Sequence, residues 1–389
     1  MAHERSASAS RLRRASQLSR LSCALPILAL LIAACGHPTP SDRDTPKPEN
    51  TLEPAKLTVA LAGPTGIDLG SDISLKGSTS ANLRGTTVNL QRRGDEGWTT
   101  VATAPVSNQG KFKIVTPASV EGRRQQFRVE APKTATTREA VSAKLTFSVF
   151  ADPANRAYTF QDDFDGTSLD PQKWATRHQA PSARRMCAQP SDDMVAVSDG
   201  TALLMVRMKP HSKSKTCPHG VWDNAMISTQ GGTTPFAATY GVVSARIRFQ
   251  SSTGMHGSFW LQGAPVTGAE IDVAEYFGDG RSDGGLTTFV HYTDSEGKSS
   301  TSGGIRRIGK LVPGADESLS QSWHVYSVEW DPTGYIFRID GYPTLMTAKP
   351  KVASSPEILI LSLLTSDWEL PAMKDPTSTM EVDWVRAWN

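Results

Sequence analysis

Three acids, Glu270, Asp272 and Glu275, stand in the run Gly268-Ala-Glu270-Ile-Asp272-Val-Ala-Glu275-Tyr-Phe277. In a β-strand the side chains alternate, so Glu270 and Asp272 share one face while Ile271 and Val273 take the other. Unbroken alternation would turn Glu275 into the apolar face, where an unpaired carboxylate is costly. One extra residue at Val273-Ala274, a β-bulge, returns Glu275 to the side of the other two. Carboxyls that close cannot all ionise freely, so at least one pKa is expected to rise. A carboxyl that keeps its proton beside one that stays anionic is the division of labour that glycoside cleavage requires. The bland alternative is a solvated acidic strand face with no task.

The elements that must hold these acids are strands. From Ala157 to Asn389 the runs TALLMVRMK, YGVVSARIRFQ, GSFWLQ, EIDVAEYF, LTTFVHY, WHVYSVEW, YIFRIDG, PEILILSLL and MEVDWVRAW follow one another with no convincing amphipathic helix between them. Long strands without βαβ alternation predict a jelly roll or two-sheet sandwich. Eight of the nine Trp lie in this stretch, which marks it as the place where sugar rings could stack. Leu57 to Phe150 carries shorter alternating runs separated by Gly/Pro/Asn turns, the pattern of a small antiparallel sandwich. It resembles bacterial immunoglobulin-like or fibronectin-type domains in pattern, and its reading is that of a spacer. The expected order is therefore a leader at 1–34, a tether at 35–55, a small sandwich at 56–150 and a larger one at 157–389.

The leader explains the charge. The chain has 389 residues with 41 Lys+Arg and 39 Asp+Glu, but residues 1–34 hold five Arg and one acid, leaving 36 basic and 38 acidic groups. No broad basic field remains for nucleic acid. Leu21–Ala34 is an apolar run of about 14 residues, short of the ~20 needed to span a bilayer as a helix. It ends in Ile32-Ala33-Ala34-Cys35-Gly36, which resembles the bacterial lipobox. That implies cleavage before a lipidated Cys35, a Pro/Thr/Ser/Asp tether, and a place on the outer face of the cell membrane. Of the four Cys, Cys187 and Cys217 then remain in an oxidising setting. A disulfide between them is the simplest assignment. A zinc site with His211 and His219 is the rival.

The text around the acids resembles family 16 of the glycoside hydrolases, in the laminarinase-like form with a bulged E-x-D-x-x-E strand. The resemblance runs through Phe160-Gln-Asp-Asp-Phe164-Asp-Gly166, Val197-Ser-Asp-Gly200, Asn224-Ala-Met-Ile-Ser228, Tyr240-Gly241, Gly257-Ser-Phe259-Trp260-Leu261 and Met380-Glu-Val-Asp383-Trp384. It implies an all-β, concanavalin-like jelly roll with the acids on its concave face. It also implies an endo-acting retaining β-glucanase (β-1,3 or mixed β-1,3/1,4 linkages) with Glu270 as nucleophile, Glu275 as general acid/base and Asp272 tuning the nucleophile. Trp260 and His291 stand near the acids as candidate substrate contacts, against core and structural readings. By the resemblance, Trp222, Asn224, Tyr276 and Trp368 are further cleft-lining candidates. Arg246 and Arg338 are expected at the surface, and Trp323, Trp330, Trp384 and Trp388 in cores or edges. A structural calcium is implied at Asp163, Gly200 and Asp383, while catalysis itself needs no cofactor. Laminarinase-like members usually place a Trp-Pro pair shortly before the first catalytic Glu, whereas Ala264–Ala269 has no aromatic, which leaves the sugar open. Galactan hydrolysis, cell-envelope transglycosylation and a non-catalytic lectin-like surface role are the alternatives. A polysaccharide substrate and a monomer are the expected partner and state.

Overall fold

The computed structural model describes residues 52–389 except 182–183, 210–214, 216, 218–219, 264–268, 348–351 and 367–376. The leader, Cys35, the tether up to residue 51, His211, His219 and Trp368 therefore lie outside the described residues.

The first β-sandwich is built from short alternating strands. Leu57–Leu61, Asp72–Thr79 and Lys111–Pro117 form one antiparallel sheet. The other runs in the order Gly66–Asp68, Leu145–Phe150, Gly122–Ala131, Thr87–Gly94 and Gly97–Pro105. Alternation decides which side chains meet: Phe112 and Ile114 point inward, while Lys111, Lys113 and Val115 stay at the surface. Leu75, Val88, Leu90, Val129 and Phe147 close the core between the sheets.

The second sandwich is a β jelly roll of two antiparallel sheets. One runs Val195–Ser198, Thr201–Lys209, Thr377–Trp388, Gly241–Arg248, His324–Asp331, Gly334–Ile339 and Tyr342–Thr347. The other runs Val221–Ser228, Glu357–Thr365, Met255–Gly263, Glu270–Tyr276, Leu286–Thr293 and Ser299–Arg306. Val221–Ser228 belongs to both, since its start pairs with Thr201–Lys209 and its end with Glu357–Thr365. Phe259, Leu261, Ile271, Tyr326, Trp330, Leu359 and Leu361 fill the space between the sheets. Each such side chain contributes about 1.5–3 kcal/mol by leaving water. Among the described residues the one α-helix is the four-residue turn Ile308–Leu311.

The first sandwich docks directly on the second. Backbone amides of Thr65 and Gly66 donate to the carbonyl of Gly341 at 3.0 and 3.1 Å. Gly341 has φ +79°, and a Cβ there would run into the Gly66 carbonyl, so the junction requires glycine. Arg338, expected at the surface, lies in this junction with its side chain 2% exposed. It donates to Glu329 at 2.8 Å and reaches Ser148 Oγ at 3.3 Å, and Ser148 donates to the same Glu329 oxygen at 2.7 Å. The hairpin that would have carried Arg338 into solvent is covered by the neighbouring sandwich. Its strand alternation is ordinary, and the cover comes from residues far away in the chain. A spacer reading misses this contact.

Candidate active site

The acidic strand carries one more residue than its neighbours between Asp272 and Glu275. On one side Asp272 pairs with Phe289 and Glu275 with Thr287, while on the other Trp260 pairs with Asp272 and Phe259 with Ala274. Three residues on this strand thus face two on each partner. Ile271, Val273 and Ala274 go to the core, and Glu270, Asp272 and Glu275 stay on the outer face of their sheet.

Adjacent strands complete the groove by the same alternation. From Met255–Gly263, Phe259 and Leu261 enter the core, leaving His256, Ser258, Trp260 and Gln262 beside the acids. From Leu286–Thr293 come Thr287 and His291. Trp260 is partly exposed, donates its ring N–H to Ser362 Oγ at 3.2 Å, and packs against the apolar strip Met226, Ile358 and Ile360. A partly wet indole above such a strip is the surface on which a sugar ring can stack.

Each acid has its own electrostatic setting. Asp272 is almost fully buried, and that burial pushes it up to about 8 against the opposing bond from His291 Nε2 at 2.9 Å. The same bond raises His291. One polar atom each of Glu270, Asp272 and His291 lies within 4.8 Å of the others. Burial also raises Glu270, helped by the Glu275 charge and opposed by His291, Gln262 and Arg177. Gln262 reaches Glu270 at 3.4 Å, and Arg177 holds Gln262 at 3.1 Å. At Glu275 burial works upward too, but hydrogen bonds win and lower it: His256 Nε2 lies 2.7 Å from one oxygen and Thr287 donates to the other at 2.8 Å. Glu275 therefore stands in the groove as a carboxylate with both oxygens hydrogen-bonded.

Two expected groove residues lie elsewhere. Tyr276 is 1% exposed in the core, its hydroxyl donating to Asp279 at 2.6 Å. The extra residue that turns Glu275 outward necessarily turns the next side chain inward. Trp222 is also buried in the core cluster, at the start of the strand that passes from one sheet to the other. Asn224, two residues on, is fully buried, and neither amide atom finds a partner among the described residues. It lines a cavity of about 200 Å³ with Arg185, Met226 and Leu364. His291 bonds Asp272 rather than the acid/base candidate. Arg177, Gln262, His256 and Thr287 were not singled out from sequence. For Gln262, His256 and Thr287 shared parity with Trp260 or His291 was the available signal, whereas Arg177 follows the separate two-residue strand Ala175–Thr176 and carries no such signal.

Cys187 and Cys217 form a disulfide. The positions matched to a structural calcium do not fit one as placed. Asp163 accepts from Arg386 at 2.7 Å and Asp383 from Arg246 at 2.5 Å, so both carboxylates already face guanidinium groups. Arg246 thus stays near solvent but is paired.

The family model for glycosyl hydrolases family 16 matches residues 191–386, half of the chain. Beta-porphyranase E of Zobellia galactanivorans is 26% identical over 253 residues, which span 59% of this chain and 86% of that protein. Glucan endo-1,3-beta-glucosidase A1 of Niallia circulans is 24% identical over 267 residues, covering 59% of this chain and 37% of that protein. Among solved structures, LamAcat from Zobellia galactanivorans aligns with a TM-score of 0.49 at 19% identity, covering 61% of this chain and 99% of that one. The laminarinase catalytic domain from Thermotoga maritima gives 0.48 at 18%, covering 59% and 97%. The matched segment contains all three acids of the groove, and the chain belongs to glycosyl hydrolases family 16 and is a glycosidase.

Proposed function

We propose that this protein is an endo-acting retaining hydrolase of the laminarinase-like, bulged-motif type, acting on β-1,3- or mixed β-1,3/1,4-glucan. The observation that carries it is the register shift that sets Glu270, Asp272 and Glu275 on one groove face beside a partly exposed Trp260. Glu270 is the nucleophile by its order in the motif. Its carboxylate attacks the anomeric carbon while Glu275 gives a proton to the departing glycosidic oxygen. Glu275, again a carboxylate, then takes a proton from the water that releases the sugar from Glu270. Asp272 and His291 share a buried hydrogen bond behind Glu270 and limit the charge built up around it.

Glu270 is the raised acid and Glu275 the lowered one, and a Glu275 carboxylate is the form that the second half of that cycle needs. The first half requires Glu275 to gain a proton. Trapping with an activated 2-fluoro-glucoside followed by peptide mass spectrometry tests the roles. Label on Glu270 is expected; label on Glu275 would reverse the two assignments, and inverted product with no label would end the retaining reading.

A galactan-type substrate is the second reading, supported by the relative named Beta-porphyranase E. Incubation with laminarin, lichenan, curdlan, agarose and carrageenan, with products sized and reducing ends counted, separates glucanase, galactanase, transglycosylase and lectin. Residues 1–34 are read as a lipoprotein leader and Cys35 as the lipid acceptor. Loss of radiolabelled palmitate from a Cys35→Ala variant is the expected check. The first sandwich is read as immunoglobulin-like, and the protein as a monomer.

A further inference from the structure

His256 faces two partners. Its Nε2 lies 2.7 Å from Glu275 Oε1 and its Nδ1 2.9 Å from Arg185 Nη1. A guanidinium can only donate, so Nδ1 must accept and carries no proton. The single ring proton then sits on Nε2 and is donated to Glu275. The ring is held flat against Phe277, with centroids 4.4 Å apart and planes 16° apart.

Arg185 is itself held. It lies in the turn Arg184–Cys187, where Arg185 and Cys187 both have positive φ, 50° and 62°. Non-glycine residues adopt that region at a cost and persist there only when the surroundings impose it. Here the Cys187–Cys217 disulfide closes the turn, Arg185 Nη1 reaches the Thr365 carbonyl at 3.3 Å, and Thr365 Oγ1 donates to the Arg185 carbonyl.

We propose that Arg185 and His256 are positioning residues that set when Glu275 holds a proton: Arg185 keeps His256 neutral, and His256 donates a single hydrogen bond to Glu275. This rests on Glu275 being the acid/base of the proposed reaction. The arrangement holds Glu275 ionised without placing a second cation beside it. A protonated imidazole there would bind the carboxylate more strongly and oppose its protonation further. The other groups facing Glu275 are Thr287 and His291 on Leu286–Thr293 and Glu270 and Asp272 on its own strand.

The two residues make opposite predictions. His256→Leu removes a donor to the carboxylate, so the alkaline limb of kcat/KM on laminarin moves up by about one pH unit. Arg185→Met frees Nδ1 to take a proton, so the limb moves down. His256→Gln keeps an N–H donor and retains the wild-type profile. Nitrogen-15 NMR of the histidine-labelled full chain gives a readout independent of turnover. His256 should show the Nε2–H tautomer in the wild type and gain a proton on Nδ1 in Arg185→Met. A merely structural role would lower activity equally at every pH. Shifts in the same direction for both variants, or a wild-type His256 that carries its proton on Nδ1, would overturn the proposal. If laminarin is not cleaved at all, the functional reading fails while the NMR result still decides the proton positions.

Discussion

Arg338→Met tests whether the two sandwiches are one folded body. In the wild type, Arg338 and Glu329 have side chains only 2% and 1% exposed and meet at 2.8 Å, with Ser148 of the first sandwich donating to the same carboxylate oxygen. Methionine fills most of the volume of the arginine stem but leaves Glu329 as a buried carboxylate with its guanidinium partner gone. Breaking a buried pair from one side costs about 3–5 kcal/mol, whereas replacing both charges by apolar groups is often near neutral. The double variant Arg338→Met/Glu329→Leu should therefore recover most of the loss. Arg246→Met removes a pair whose side chains are 38% and 30% exposed, and should cost below about 1 kcal/mol. Urea unfolding followed by tryptophan fluorescence reports all three. A loss below about 1 kcal/mol for Arg338→Met, or no recovery in the double variant, would refute the idea that the junction is welded through a desolvated charge pair.

Four further outcomes are expected. Glu270→Gln and Glu275→Gln should each remove nearly all hydrolysis, Glu275→Gln by at least about 100-fold, with unchanged circular dichroism; near-wild-type turnover in either would sink the assignment. Replacing Cys187 and Cys217 by Ser opens a loop spanning 30 residues and should cost about 3–4 kcal/mol in the chain-entropy view, read as a lower urea midpoint. Asp272 is raised to about 8, so the folded protein binds a proton there that the unfolded chain has lost above pH 4; stability should fall as pH rises towards 8. His291 shares the hydrogen bond with Asp272, so the pair's proton enters this slope once. Asp272→Asn should flatten the fall, and an unchanged pH–stability curve would contradict the burial argument. Because Asp163 and Asp383 are engaged by arginines, exhaustive chelation should change neither midpoint nor hydrolysis, and a loss of either would reveal a bound cation.

The three acids were legible because alternation and the cost of a buried carboxylate together demand an extra residue before Glu275. The same parity rule, carried one residue further, would have placed Tyr276 in the core. Trp222 was less accessible: its strand changes sheet midway, and no local pattern marks that passage. His256 shares its face with Trp260, but phasing the two required knowing that Met255–Gly263 is one unbroken strand. Arg338 was hidden for a different reason. Local periodicity describes a strand's two faces, but what covers a face can come from 190 residues away, as Ser148 does here.

The extra residue in the acidic strand also shapes how this groove can vary. Substitutions around it alter affinity by degrees, since each side chain contributes its own contact. Deleting a single codon at Val273 would remove the bulge, and ordinary alternation along Glu270-Ile-Asp272-Ala-Glu275-Tyr276 would still turn Glu275 outward and Tyr276 inward. What such a deletion changes is the local bend and twist of the strand, and with them the spacing between Glu270 and Glu275, while nearly every letter of the motif stays in place. For chains of this kind, the number of letters between the last two acids reports whether the strand is bulged, and a single intervening residue or a bulged pair serves the same face.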